Sequence, residues 1–253
     1  MEEDDKENIT DRLQNLTKII QDAFLKLGAL LLQSLKTRKI EPKLLANTLM
    51  QCEVYSTEKE SRIKLLQLHS KDLSEANDIY DIFLIISPYY SWFSYDLFKE
   101  IVNTHGSDED QENMEQYCQD FSEYCQRIPC VEFQENNSKS SHQTKIKFKL
   151  DLNMKSLSVG EIKHIQRNIA KILKLKSSVL VLSRIQDGCM ALIYLVPSHI
   201  AAQLVQLAMH EERAKLCKEI KMISVDQVDD DPCLKQVSFS DCYSTLTYIS
   251  FNF

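Results

Sequence analysis

The spacing of apolar residues changes between residues 130 and 145, and this change predicts two structural units. Up to residue 130, apolar side chains recur every three or four positions, as they do in packed amphipathic helices. The segment Thr144–Leu150 instead alternates polar and apolar residues, which is typical of a strand with one buried face. We therefore predict an α+β protein, in which an all-α helical bundle precedes a unit of mixed helices and strands.

The first unit is predicted to hold six helices. Leucines and other apolar residues form one stripe along a first helix over residues 10–38, with Gly28 as a possible kink point. A second helix begins at Pro42, and a third has a capped start at Ser56-Thr57 and carries Leu65 and Leu66. The remaining three helices are predicted over residues 79–86, 95–104 and 107–128.

A cluster of aromatic residues follows the fourth predicted helix. Trp and Tyr dominate binding energy at many interfaces, so an exposed cluster would be a candidate contact surface. Such clusters more often form the core around which short helices turn, and we expect a core position here. The cluster consists of Tyr89, Tyr90, Trp92, Phe93 and Tyr95.

The second unit begins with the strand at residues 144–151. A helix follows, in which Ser158 is the cap and Glu161 completes a capping box. Two strands joined by a turn at Gln186–Gly188 come next, then a helix over residues 199–219 and a strand at Met222–Val228. This order of elements predicts a ferredoxin-like βαββαβ plait. The β-prone segment after it is a candidate cover for the open face of the sheet.

These patterns divide the chain of 253 residues into five regions. We expect a disordered acidic tail at residues 1–9 and the helical bundle at 10–130. A linker at 131–143 joins the bundle to the plait at 144–230. A β-prone C-terminal segment follows at 231–253.

The net charge of −7 is unevenly distributed between the two units. Residues 1–130 hold 14 Lys and Arg against 24 Asp and Glu, a balance of −10, and residues 131–253 hold 16 against 13, a balance of +3. The acidic first unit makes nucleic acid an unlikely partner for it. The acidic N-terminus does not resemble a signal peptide, and no apolar run is long enough to span a bilayer. We expect a cytoplasmic protein that does not contact membranes.

No pattern in the sequence indicates catalysis. A phosphate-binding loop needs clustered glycines, whereas Gly28, Gly106, Gly160 and Gly188 are far apart. Neither a zinc-protease motif nor a nucleophile elbow is present. We therefore expect a non-enzymatic protein that needs no cofactor and no metal.

The mixed unit carries a candidate basic face and an alternative function. Its strand order would place Gly188–Leu195 where an RNA-recognition domain has its main stacking strand, with Tyr194 and Phe148 as the possible stacking residues. Phe148, however, alternates onto the presumed core side of its strand. The basic face would consist of Lys145, Lys147, Lys149, Lys163, Arg167 and Lys171.

The helical unit resembles the death-fold superfamily, and the caspase-recruitment domains most closely. The residues that carry this resemblance are Leu35–Ile40, Leu44–Leu49, Glu58-Lys59, Leu65-Leu66, Ala76 and Tyr80–Leu84. The resemblance covers residues 12–90, and the helix at 107–128 departs from it. It implies assembly with like domains or with itself through complementary charged patches. The candidate patches are Lys36, Arg38, Lys39 and Lys43 on one face, and Asp108, Glu109, Asp110 and Glu112 on the opposite face.

Most of the chain is also similar to an uncharacterised invertebrate family, of the type expanded in sponges. The matching landmarks are Trp92-Phe93 before Leu97-Phe98, Tyr117–Tyr124 with Cys125, and Tyr194–Pro197 before Ile200-Ala201. Some members are joined to death-fold or nucleotide-binding immune-receptor modules. The similarity implies a place in apoptotic or innate-immune signalling.

Together these observations predict an intracellular adaptor that acts by binding other proteins. Two alternatives remain. A ferredoxin-like plait could instead dimerise around a small-molecule regulator, or its basic face could bind RNA.

Overall fold

The helical pattern of the first half forms a bundle in the computed structural model, which describes residues 2–56, 63–130, 133–134, 141–186 and 190–228. Its helices are α1 (Glu2–Thr37), α2 (Pro42–Gln51), α3 (Ser70–Glu75), α4 (Ile79–Ile86), α5 (Asp96–His105) and α6 (Asp108–Arg127). From Ile20 onward the apolar stripe of α1 lies in the core, where Leu31 and Leu35 are fully buried. The predicted helical half is therefore confirmed.

Local capping signals explain where several helices begin and end. Ser107 accepts a hydrogen bond from the backbone N–H of Asp110, and the Asp110 carboxylate accepts one from the backbone N–H of Ser107. This capping box satisfies donors that a helix N-terminus otherwise leaves unpaired. At the end of α1, Lys39 adopts a left-handed conformation, and Ile40 N–H donates to the Leu35 carbonyl. That geometry is a Schellman motif, and it ends the helix.

Two predictions for the helical half are wrong. Helix α1 begins at Glu2 and includes residues 2–9, which were predicted to be disordered. Acidic residues in a first turn are favoured by the helix dipole, so this composition suits a helix start. The predicted third helix does not form over residues 63–66, because Lys64 makes a bridge with Glu53, and a 3₁₀ turn at Gln67–His69 leads into α3. The proposed cap at residues 57–60 lies outside the described residues.

The second half is an antiparallel sheet covered by helices on one face. Its strands are β1 (Phe133–Gln134), β2 (Gln143–Leu150), β3 (Val181–Gln186), β4 (Ala191–Pro197) and β5 (Met222–Val228), arranged in the order β1-β3-β4-β2-β5. Helix α7 (Val159–Ile172) connects β2 to β3, and α8 (Ser198–Gln206) and α9 (Arg213–Ile220) connect β4 to β5. The strand, helix and capping-box predictions for this half are confirmed. The predicted helix at 199–219 is interrupted by a π-helical turn at Leu207–Glu211.

The described residues cover the remaining predicted regions only in part. The turn at 187–188, most of the linker at 131–143, and the C-terminal segment at 231–253 lie outside them. Within the described part of the chain, no helix combines the length and the apolar character needed to cross a membrane.

The two halves pack together around α7, which the helical half holds at both ends. At its start, Cys130 N–H donates to the Leu157 carbonyl at 2.6 Å, and Val159 N–H donates to the Ile128 carbonyl at 2.9 Å. Beyond its end, Lys176 N–H donates to the Val54 carbonyl at 2.8 Å. Buried side chains of both halves belong to one continuous hydrophobic core. The helical half and the sheet half therefore share a core rather than meeting only at their surfaces.

Candidate functional site

Lys163 is the centre of a buried polar contact between the two halves. Its side chain extends from the middle of α7, is only 3% exposed, and meets the loop before α5. The ammonium group lies 2.8 Å from the Asp96 carboxylate and donates to the Phe93 carbonyl at 2.9 Å. It also lies 4.6 Å from the centre of the Tyr95 ring, within range of a cation–π interaction. The predicted aromatic cluster is thus core, as expected, and it encloses a buried cation.

Burial opposes both charges of this pair, and each charge favours the ionised form of the other. Burial lowers the pKa of Lys163, and the nearby Asp96 carboxylate counteracts that effect. Burial also acts to raise the pKa of Asp96, but the Lys163 ammonium and the Ser177 hydroxyl outweigh it and hold that pKa below its ordinary value. Since each charge is satisfied by the other, the pair has a structural role that joins α7 to α5.

The buried position of Lys163 corrects the predicted basic face. The sequence pattern placed this residue on an exposed side of α7, together with Arg167 and Lys171. In the structure, the helical half covers part of that side, because Gln166 and Lys163 both contact the loop before α5. Lys145, Lys147 and Lys149 lie on β2, on the sheet face opposite to Ile146 and Phe148. The six basic residues therefore do not form one surface.

Neither candidate for base stacking is accessible. Phe148 and Tyr194 are fully buried and pack edge to face, with ring centres 6.0 Å apart. They point from adjacent strands, where Ile146 pairs with Tyr194 and Phe148 with Leu192, toward the face covered by helices. Base stacking needs an aromatic ring on an open sheet surface. These two side chains act as core residues instead.

The two candidate charged patches of the helical half meet each other. Helices α1 and α6 are antiparallel neighbours, since Ser34 contacts Asp110 and Phe24 contacts Tyr117. The Asp110 carboxylate accepts hydrogen bonds from the Ser34 hydroxyl at 2.6 Å and from Ser107 N–H at 2.7 Å. Arg38 lies 3.5 Å from the same carboxylate oxygen. The prediction of opposite faces is therefore wrong, because the packing of α6 against α1 brings both patches to one end of the bundle.

The contact between the patches leaves charges of both signs exposed around it. Asp110 is buried, and its hydrogen bonds from Ser34 and Ser107 outweigh burial and hold its pKa below the usual range. Lys36 is engaged in an exposed ion pair with Asp78, with 3.7 Å between the charged atoms. We call the remaining exposed group the two-signed patch, and it consists of Lys39, Lys43, Asp108, Glu109 and Glu112.

A second polar cluster joins the halves near the start of β2. His69 is 6% exposed, and its Nε2 lies 3.0 Å from the Tyr89 hydroxyl. The ring of His142 packs against it at right angles, with the ring centres 4.7 Å apart. Nearby, the Gln143 side-chain amide donates to the Pro88 carbonyl at 2.9 Å. Burial, together with His142, lowers the pKa of His69.

This cluster predicts a loss of stability in mild acid. Because the pKa of His69 is lower in the folded chain, the unfolded chain binds more protons as the pH falls below about 6.5. The free energy of unfolding should therefore decrease below that pH, and part of the decrease should disappear in His69→Gln. Urea unfolding between neutral pH and pH of about 5 measures this effect. The exposed His164→Gln is the matched control and should retain the full decrease; an equal response in both variants would contradict the prediction.

An open cleft of about 440 Å³ lies beside the buried pair, between α5 and the turn before β3. Its lining is polar and includes Asp96, Lys99 and Glu100 together with Lys176. The Asp96 carboxylate is already bound by Lys163 and Ser177, and Glu100 lies 3.3 Å from Lys176. Among the described residues, no group of three or more His, Cys, Asp or Glu side chains could hold a metal ion.

Sequence reasoning missed the residues that connect the halves. Lys163 and Gln166 lie among apolar residues on α7, but a polar residue next to an apolar stripe usually faces solvent. Asp96 occupies the first position of α5, where an acidic residue already has a local explanation in the helix dipole. The only sequence signal was the position of Asp96 directly after the aromatic cluster, and that signal does not identify a partner.

Comparisons of the chain with models of protein families, with curated proteins and with solved structures give no match.

Proposed function

We propose that this chain is a non-enzymatic adaptor that binds other proteins through the two-signed patch at the end of its helical half. The observation that carries the proposal is the Arg38–Asp110 contact, which brings the segments that carry the exposed lysines and the exposed acids to the same end of the bundle. A surface with both signs is self-complementary, since a second copy related by a two-fold axis can place its acids against the lysines of the first. Complementary potentials of this kind favour specific association.

The buried titratable groups support a binding role rather than catalysis. Asp96 and Lys163 satisfy each other inside the core, and burial raises the pKa of Cys52 to about 12. A thiol with so high a pKa is a poor nucleophile, because the thiolate is the reactive form. Free thiols at Cys52, Cys118 and Cys125 suit a reducing compartment, and we propose a cytoplasmic location.

The proposal also assigns a fold family to each half of the chain. We propose that the helical half is a death-fold-like domain with an additional packed helix, used in apoptotic or innate-immune signalling. The bundle that α1, α2, α3 and α4 form within the region of resemblance supports this assignment, and α6 is the additional helix. We further propose that the sheet half is ferredoxin-like, an assignment supported by the order β3-β4-β2-β5 and by the two helical connections on one face.

Reversing the charges of the two-signed patch in the full chain tests the proposed function. The change Lys39→Glu with Lys43→Glu reverses the basic side of the patch, and Glu109→Lys with Glu112→Lys reverses the acidic side. We expect each double variant alone to weaken self-association at least about tenfold, which corresponds to about 1.4 kcal/mol. An equimolar mixture of the two double variants should associate again, because their patches become complementary. Sedimentation velocity at low salt measures all three samples.

A matched control separates the patch from net charge. Lys26→Glu with Lys171→Glu makes the same change in net charge as Lys39→Glu with Lys43→Glu, but at exposed positions outside the patch. This control should associate as the unchanged chain does. Equal weakening in the control, or a mixture that fails to recover, would overturn the proposal. Association that is insensitive to salt would do the same, since exposed charge pairs are screened.

A further inference from the structure

The face of the sheet opposite the helices carries a buried apolar cluster. Phe148 of β2 pairs with Leu192 of β4, and both side chains belong to the core beneath the helices. Side chains alternate between the two faces along a strand, so the residues on either side of Leu192 point to the opposite face. Four apolar side chains on that face are only 0–6% exposed, and we call them the second-face cluster: Val181, Ala191, Ile193 and Leu195.

The second-face cluster is separate from the core that the two halves share. None of its four residues belongs to the continuous hydrophobic core, which includes buried side chains of α7, α8 and α9. The Lys147 ammonium group donates to the Gln186 side-chain oxygen at 3.0 Å, so this lysine stem crosses β4 beside Ile193. One such stem is too small to bury four apolar side chains, and another part of the chain must therefore lie over the cluster.

Composition identifies which part of the chain can provide this cover. Four internal stretches lie outside the described residues, at 57–62, 131–132, 135–140 and 187–189. The first and third contain no apolar residue, and the other two are only two and three residues long. The segment after β5 is different, because nine of the 25 residues at 229–253 are Val, Leu, Ile, Phe or Tyr. An apolar surface is buried most favourably by other apolar side chains, which this segment can supply.

The segment after β5 also begins close enough to reach the cluster. Val228 pairs with Lys145, and Lys145 pairs with Leu195 on its other side. These two steps across the sheet place the start of the segment about 10 Å from Leu195, since neighbouring strands lie about 4.8 Å apart. About three extended residues span that distance. A segment of 25 residues can therefore cross the whole cluster.

We propose that residues 229–253 of the same chain pack on the second-face cluster and close this face of the sheet. The contact is intramolecular, so it does not depend on protein concentration. RNA-recognition domains bind bases on the open face of a comparable sheet. The cover therefore blocks that surface while it is in place, and it is separate from the two-signed patch.

Hydrogen exchange of the full chain tests whether the segment is held in place. We expect amides within residues 229–253 to exchange at least about tenfold more slowly than in an unfolded chain, and equally so at every protein concentration. Exchange of all these amides at the unfolded rate would overturn the proposal. Protection that increases with protein concentration would show that the segment binds a second copy, which would also overturn it.

A matched pair of variants connects this protection to the second-face cluster. Ile193→Asp places a charge in the cluster, and a buried charge without a partner is unfavourable. We expect it to release the segment and to lower its protection at least about tenfold, while the amides of α7 stay protected. Ile223→Asp makes the same change at a position that is 47% exposed and lies outside the cluster. This control should leave the protection of residues 229–253 unchanged.

A milder pair keeps the test decisive if Ile193→Asp does not fold, which would be seen as lost protection in α7. Ile193→Ala removes apolar contacts without adding a charge, and it should lower the protection of the segment at least about threefold relative to Ile223→Ala. Equal protection of the segment in the two alanine variants would contradict the cover. The charge-reversed variants of the two-signed patch should leave this protection unchanged, so either proposal can fail without the other.

Discussion

Replacing Lys163 with methionine is expected to destabilise the protein by about 3–5 kcal/mol, because the Asp96 carboxylate would remain buried without a cation. The side chain of Asp96 is 20% exposed, so water cannot fully replace the lost ammonium group. Methionine preserves most of the volume of the lysine stem, which separates the loss of charge from a loss of packing. The effect is measured as the free energy of unfolding in urea. Both halves should unfold at a lower urea concentration than they do in the unchanged chain.

Two further variants make the result specific. Lys171→Met removes an exposed lysine from the same helix and should change the stability by no more than about 0.5 kcal/mol. The combination of Lys163→Met with Asp96→Asn should recover part of the loss, since no unpaired charge is then left in the core. If the single and double variants were equally destabilised, the ion pair would not be the cause.

Replacing Phe93 with alanine is expected to cost about 3–5 kcal/mol and to loosen both halves of the protein together. The ring is 1% exposed and contacts Trp92 and Phe121 within the helical half. On the other side, Lys163 of α7 lies 5.4 Å from the ring centre. A cavity at this position therefore removes contacts from both halves of the shared core.

Hydrogen exchange resolves where the loss occurs. We expect amides of β3 and β4 to lose protection to the same extent as those of α5 and α6, and one cooperative unfolding transition to remain. Tyr124→Ala on α6 is the control, because this side chain is 39% exposed and should contribute little. Loss of protection confined to the helical half would show that the halves unfold separately.

Local signals in the sequence predicted most elements and their starts. The capping box of Ser158 and Glu161 begins α7 in the structure, and the alternation in Thr144–Leu150 corresponds to β2. These patterns are reliable because a capping box depends on residues three positions apart, and a half-buried strand on a period of two. The third predicted helix does not form at Lys64, because Lys64 makes a β-bridge with Glu53, just after the end of α2. This contact between distant residues overrides the local helix propensity.

The candidate sites were harder to predict, because they depend on pairs of residues far apart in the chain. Arg38 and Asp110 were each identified as members of charged patches, but their mutual contact requires the antiparallel packing of α1 and α6. Lys163 was assigned to an exposed face because the pattern of α7 shows one apolar side. Its second packed side is created by the loop before α5, which lies about seventy positions earlier.

The sequence by itself determined the class of the fold, the order of its elements and the position of most caps, since these depend on neighbours within a few residues. Only the tertiary structure decided that the two halves share one core, that Lys163 is buried against Asp96, and that the acidic and basic patches lie side by side. The physical reason is that burying a charge costs free energy, and this cost is offset only when a partner from elsewhere in the chain contacts the charge. The packing of the helices and strands determines which residue becomes that partner, and no local sequence pattern specifies this packing.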